Sequence, residues 1–233
     1  MIRKLFFLST IPVFLLISCK KSATTPPPPP NPVEYNSIQA GNTWEYELVN
    51  NPSTAPATST YTLTCTAADT SIGTRSYRIF TRTDALAKEY YFVLNSEYFE
   101  YLTLPILDGF KFENLYLKSN VVAGATWTQT LPPVTYAGIT ATISKQDTVK
   151  QTGMSMTVKG KTYNNVIHVS SGLKLVSLSL PIPGVSLVSS IQNYYAPGVG
   201  RIRATYDIRF SVPPPFSITQ TFENKTELIS TNF

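Results

Sequence analysis

The chain has 233 residues and a formal net charge of +5, and charged side chains make up only 14% of it, against roughly 25% in ordinary globular proteins. Its length suits one domain with a real core, and 12% aromatic residues exclude a wholly disordered chain, because enough apolar area exists to offset the cost of ordering. One histidine and two cysteines leave little material for metal or disulfide chemistry, so neither a metal site nor a cofactor is expected.

The N-terminus opens with Arg3 and Lys4, followed by the uncharged run Leu5 to Ser18 and then Cys19, Lys20 and Lys21. That run spans 14 residues and contains Pro12, too short for the roughly 20 residues of a membrane-crossing helix, so it reads as a secretory leader. Leu16-Ile17-Ser18-Cys19 resembles the lipobox of bacterial lipoproteins. The resemblance implies cleavage before Cys19, a diacylglycerol on its thiol and a mature protein tethered to a membrane without spanning it. Lys20, where some bacteria carry an inner-membrane retention Asp, favours the outer membrane as the destination. Residues 1–18 are then a lipoprotein signal peptide, residues 19–34 a lipidated cysteine with a proline-rich linker, and residues 35–233 a single β domain.

The linker KKSATTPPPPPNP favours polyproline II, which gives a stalk of about 30–40 Å at about 3.1 Å per residue over its proline-rich part. Losing Arg3 and Lys4 leaves 17 basic against 14 acidic residues, or +3. That charge is too mild and too dispersed for nucleic-acid binding.

From Tyr35 onward the apolar pattern has a period of two, the mark of strands with one buried face. Trp44 and Tyr46 alternate with Glu45 and Glu47; Tyr61, Leu63 and Cys65 alternate with threonines, which directs Cys65 inward as a small hydrophobe. The aromatic middle carries Tyr90, Tyr91, Phe92, Tyr98, Phe99, Tyr101, Phe110, Phe112 and Tyr116. Alternation sends Tyr91 and Phe92 to opposite faces, so a second layer must cover one of them or leave it exposed. Tyr91, Tyr98 and Tyr101 are candidate ligand contacts. Glu97, Glu100 and Asp108 lie in the same region and read as wet-side charges.

Further along, Ala137, Ile139, Ala141 and Ile143 form another alternating set, and Asp147-Thr148-Val149 resembles a short O-glycosylation acceptor with Thr148 outward. Val158 to Tyr163 reads as a tight hairpin turning at Lys159-Gly160. His168, the lone histidine, has the parity opposite Ile167 and Val169 and reads as structural or solvent-facing. Between Lys174 and Arg201 no charge occurs for 26 positions. Leu178, Leu180 and Ile182, then Val185 and Leu187 across Pro183-Gly184, form an apolar hairpin that is a candidate ligand or partner surface. In Arg201 to Val212 the even positions are apolar and the odd ones polar; pairing with Phe216 to Leu228 would set Arg203 or Arg209 near Glu223 or Asp207 on a wet face.

The phrases Ala40-Gly41-Asn42-Thr43-Trp44 and Ala123-Gly124-Ala125-Thr126-Trp127, placed 83 residues apart, suggest two related halves near 35–120 and 121–233. With VKGKTYNNVIHV and the later YYAPGVGRIRA, they resemble envelope lipoproteins of the Bacteroidetes type, a group without an assigned activity. The resemblance implies an all-β extracytoplasmic domain and carries no catalytic residue. The fold expected is all-β, an antiparallel meander forming a curved sheet, an open barrel or a sandwich. The function expected is that of a non-catalytic, lipid-anchored envelope protein binding an apolar or amphiphilic ligand or an envelope protein partner. A surface glycan-binding protein is the alternative, and a hydrolase using His168 or a carboxylate pair stands third.

Overall fold

The computed structural model describes residues 34–84, 88–104, 110–136 and 138–233. Cys19, the leader, the proline run, Ala137 and Asp108 lie outside them. The strands are β1 (Thr43–Asn50), β2 (Ala57–Ile72), β3 (Arg75–Arg82), β4 (Glu89–Leu94), β5 (Glu97–Leu104), β6 (Phe110–Lys118) and β7 (Thr126–Thr130). They continue with β8 (Val134–Tyr136), β9 (Ile139–Val158), β10 (Lys161–Leu178), β11 (Ser186–Ala196), β12 (Gly200–Val212) and β13 (Ile218–Thr231). Threonines and β-branched residues at alternating positions give these segments their strand preference. Positive-φ residues punctuate them: Lys159 at φ 48° and Gly160 at φ 80° make the tight β9–β10 turn, as the right-handed twist of a hairpin requires.

All thirteen strands belong to one sheet, so the sandwich is excluded and the barrel realised. Every ladder is antiparallel, and β1 pairs with β13, Trp44 opposite Thr231 through Asn50 opposite Asn224. The path runs β6-β5-β4-β3-β2-β1-β13-β12-β11-β10-β9-β7, with β8 also on β9. Its two ends, β6 and β7, are joined by side chains. Trp127 Nε1 donates to Leu115 O at 3.1 Å, Leu115 N donates to Gln129 Oε1 at 3.2 Å, and Gln129 Nε2 donates to Glu113 O. These bonds nearly close the barrel where no backbone ladder does so.

The two AG-x-TW phrases start β1 and β7 in the same way. Gly41 (φ 92°) and Gly124 (φ 89°) donate to Cys65 O at 2.9 Å and Val149 O at 2.8 Å, and the return bonds run from Cys65 N to Asn42 O and from Val149 N to Ala125 O. Each phrase therefore docks on the long strand that follows it, β2 or β9. Each tryptophan also donates to a distant carbonyl: Trp44 to Val199 O and Trp127 to Leu115 O.

One end of the barrel is crossed by the segment preceding β1. Gly198 N donates to Glu34 O at 2.7 Å, Tyr35 N to Tyr98 OH at 2.9 Å and Asn36 Nδ2 to Tyr116 OH at 3.0 Å. Gly200 is required here: a Cβ would lie 3.1 Å from Asn36 Oδ1, and its φ is 95°. The opposite end carries the turns between β1 and β2, β10 and β11, and β12 and β13. There a second apolar cluster gathers Phe112, Leu131, Val134, Ala141 and Ile143, with Leu178 and Leu187 packed against it.

Outward positions are mainly polar, with Val176 and Val188 among the exposed apolar exceptions. Glu47 pairs with Lys159, Arg203 with Glu227, Arg209 with Glu223 and Asp207, and Glu97 with Lys118. This is the reverse of a membrane-spanning barrel, whose outward band is apolar.

Candidate functional site: the barrel cavity

Closing a sheet on itself sends one parity of every strand toward a shared interior. That interior is incompletely filled. A cavity of about 380 Å³ remains, lined by tyrosines 46, 61, 91, 116, 195 and 206 and by the amides Asn114, Asn193 and Asn224. The charged groups Arg82, Glu89, Glu100, Lys145 and Arg201 also reach it, and Leu48, Phe112, Leu173, Ile208 and Phe222 give it apolar wall. Successive residues Lys88 to Tyr91 and Tyr101 to Thr103 all border it, which alternation allows only at a rim, where both faces of a strand meet the opening.

The charges are organised in pairs. Arg201 Nη2 donates to Glu100 Oε2 at 2.7 Å, and Asn114 Nδ2 to Glu100 Oε1 at 2.8 Å. Arg82 engages Asp84 at 2.8 Å and Glu89 at 2.9 Å, with its guanidinium 3.7 Å from the centre of the Tyr61 ring. Lys145 Nζ reaches both Asp147 oxygens at 2.6 Å, and Ser171 Oγ donates to Asp147 Oδ1 at 2.5 Å. Burial pulls the Lys145 ammonium below its ordinary pKa against the pull of Asp147. Burial likewise works against the Arg201 charge, but Glu100 and the surrounding tyrosines more than offset it and hold that pKa above its ordinary value. Burial raises Tyr46, Tyr91 and Tyr195 well above the ordinary tyrosine range, so their hydroxyls remain neutral donors.

Several polar atoms in this wall have no partner. The Oδ1 atoms of Asn114, Asn193 and Asn224 and Nε of Arg201 are inaccessible and unbonded. Asn114 is 4% exposed and Asn193 7%. Buried amides are normally satisfied, and each exception calls for a physical explanation.

Of the residues singled out from sequence, Tyr91 lines the cavity and donates to Glu89 Oε2 at 2.6 Å. Tyr101 borders it opposite Tyr90, ring centroids 6.5 Å apart. Tyr98 does not reach the cavity lining: it is buried under the crossing segment, where its hydroxyl accepts Tyr35 N–H. The opposite face of the aromatic middle is covered after all. Tyr77, Phe92 and Phe99 cluster there beneath the Arg75 guanidinium, 4.2 Å from the Phe99 ring centre and held by Glu113.

The apolar hairpin divides. Leu178 and Leu187 pack into the second cluster, Ile182 and Val185 are half-buried, and Leu180 is 48% exposed. Val176, Val188 and Phe216 are exposed as well. His168 faces outward, stacked on Tyr194 at 4.3 Å with Nε2 2.7 Å from Gln192 Oε1. It takes no part in the cavity. Asp147 and Val149 are fully buried, leaving only Thr148 of that triplet directed outward.

Two expectations fail for one reason each. Arg201, grouped by parity with the wet-face arginines, points inward because β12 carries an extra residue: Tyr194 pairs with Arg203 but Tyr195 with Arg201. A bulge of this kind turns two successive side chains to one face. Glu100, read as a wet-side acid, is inward because it shares the parity of Tyr98 and Leu102 on β5, and Arg201 and Asn114 compensate its charge there. The asparagines carry a single sequence signal, apolar-parity placement, Asn193 between Ile191 and Tyr195 and Asn114 between Phe112 and Tyr116.

Fold and site together define a meander β-barrel with a polar outer surface and an amphipathic interior cavity. Among solved structures the chain is similar to a candidate lipoprotein of Parabacteroides distasonis, with a TM-score of 0.40, 10% identity, and coverage of 86% of this chain and 99% of that one. It is also similar to a candidate exported protein with a YmcC-like fold from Bacteroides fragilis, with a TM-score of 0.39, 7% identity, and coverage of 86% and 100%. No family model matches the chain, and no curated protein does.

Proposed function

We propose that this protein is a non-catalytic, lipid-anchored component of the cell envelope, held at the outer membrane through Cys19, whose barrel binds an amphiphilic ligand inside its cavity. The observation that carries the ligand reading is the unfilled cavity of about 380 Å³, whose wall sets tyrosines, asparagines and paired charges beside apolar side chains. Ligand sites are typically concave, partly apolar and furnished with a few placed polar groups, and the polar groups here would meet the head. The apolar wall accounts for the tail. The tether rests on the Leu16 to Cys19 motif and on a proline-rich spacer long enough to hold the domain off the bilayer.

The cavity carboxylates support binding over bond-making. Glu100 is held by Arg201 and Asn114, and Glu89 by Arg82 and Tyr91, so each is committed to partners within the wall. Labelling cells with a palmitate analogue tests the tether: the wild-type chain incorporates label and Cys19→Ala does not. Purifying the Cys19→Ala chain without detergent and recording its native mass spectrum tests the cavity. The expected result is an adduct of an envelope amphiphile released on unfolding; a bare chain mass from repeated preparations contradicts it.

A further inference from the structure

We infer that the cavity selects an amphiphile with an uncharged, hydroxyl-rich head, a sugar or polyol on an apolar tail, and that Asn193 and Asn224 receive the head. This rests on the ligand-binding reading above and narrows it to a chemical class. The first argument is charge. Arg201 is neutralised by Glu100, Lys145 by Asp147, and Arg82 by Asp84 and Glu89. Among the described residues that line the cavity, only Lys88, at the rim, is a cation without a carboxylate partner. A carboxylate or phosphate head deep in the cavity would meet no spare positive charge, and burying an unpaired ion is costly. A quaternary or primary ammonium fares no better, since Glu89 and Glu100 are both committed.

The second argument is the uncommitted amides. Asn193 and Asn224 line the cavity, and no hydrogen bond among the described residues engages their amide nitrogens. Hydroxyl, ring and glycosidic oxygens accept from such nitrogens. The third argument is the surrounding surface. Tyrosine rings present flat apolar faces with polar edges, which suit the C–H face of a sugar ring, while Leu48, Leu173 and Phe222 leave room for an alkyl chain. A site built to hydrogen-bond hydroxyls discriminates strongly against ligands that lack them.

The test is isothermal titration of the full-length Cys19→Ala chain with three octyl probes below their micellar concentrations: octyl glucoside, octanoate and octyltrimethylammonium. The expected result is saturable binding of octyl glucoside at least about tenfold tighter than either ion. Asn193→Leu should weaken the glucoside by about tenfold while leaving the weak ion affinities unchanged. Asn224→Leu serves the same purpose should the first variant fail to fold. Octanoate or the ammonium binding as tightly as the glucoside overturns the head-group assignment and leaves the cavity reading standing. Heat from none of the three overturns both. Glucoside affinity unchanged in the folded leucine variants removes the asparagines from the site.

Discussion

A buried amide oxygen without a donor costs about 1–3 kcal/mol, and Asn193 carries one in the wall of the cavity. Replacing it by leucine removes that cost at similar volume. Asn193→Leu should therefore raise the ligand-free melting temperature by about 2–4 °C per kcal/mol for a chain of this size, read by thermal denaturation of the detergent-free protein. A lower melting point would mean that the amide is satisfied in the folded state. The Glu100 to Arg201 pair behaves oppositely. Arg201→Met strands a buried carboxylate, a change costing about 3–5 kcal/mol, whereas the double change with Glu100→Gln should recover most of it; urea unfolding of both variants checks this. Neither group was legible as a site residue. Alternation assigns a face only while the register holds, and one extra residue at Ile202 reverses Arg201. Cys65, in an unbroken alternating run, sits where the sequence puts it, 1% exposed.

At the scale of strands the sequence is far more informative. Period-two patterning locates most of them, Lys159-Gly160 marks its hairpin, and the expected approach of Arg209 to Glu223 and Asp207 on the wet face is found, while Arg203 pairs with Glu227 instead. The seam between β6 and β7 was not legible. It depends on Trp127 and Gln129 reaching backbone groups of Glu113 and Leu115, and side-chain-to-backbone bonds leave no periodicity. Because Gln129 accepts from one β6 group and donates to another, Gln129→Ala should open the seam locally. Amide exchange at Leu115 should accelerate by at least about tenfold, equivalent to about 1.4 kcal/mol of local stability, with β12 and β13 amides unaffected. Uniform acceleration across the barrel would instead indicate global destabilisation, and no change would make the seam independent of Gln129.

For the whole molecule, alternation announces one buried face but not what buries it; a curved sheet, a sandwich and a barrel read alike. The pairing of the first strand with the last, Trp44 to Asn50 against Thr231 to Asn224, makes one sheet of two halves and rules out the sandwich, and the β6–β7 seam then nearly closes it; no local pattern encodes contacts so distant in sequence. The outer surface of that nearly closed wall carries ion pairs, which sets its response to acid. Burial pushes the Glu227 carboxyl up, but Lys225 and Arg203 more than offset this and hold it below its ordinary 4.5. The Ser53 hydroxyl and Arg209 lower Glu223 in the same direction. A carboxyl depressed in the folded state stabilises above its unfolded pKa and loses that contribution as pH falls through the folded value. Melting temperature should thus decline below about pH 4.5, and Glu227→Gln should be less stable at neutral pH with a shallower acid slope; an identical slope in the variant assigns the acid response elsewhere.

The central claim is that ligand enters the barrel. Side-chain amide resonances of the ¹⁵N-labelled Cys19→Ala chain, followed through a titration with octyl glucoside, report on it directly. Asn193 and Asn224 should shift together and saturate, while the outward Gln192 beside His168 stays still. Shifts confined to Gln192 and other outer-face amides, with the two asparagines unmoved, would contradict the account.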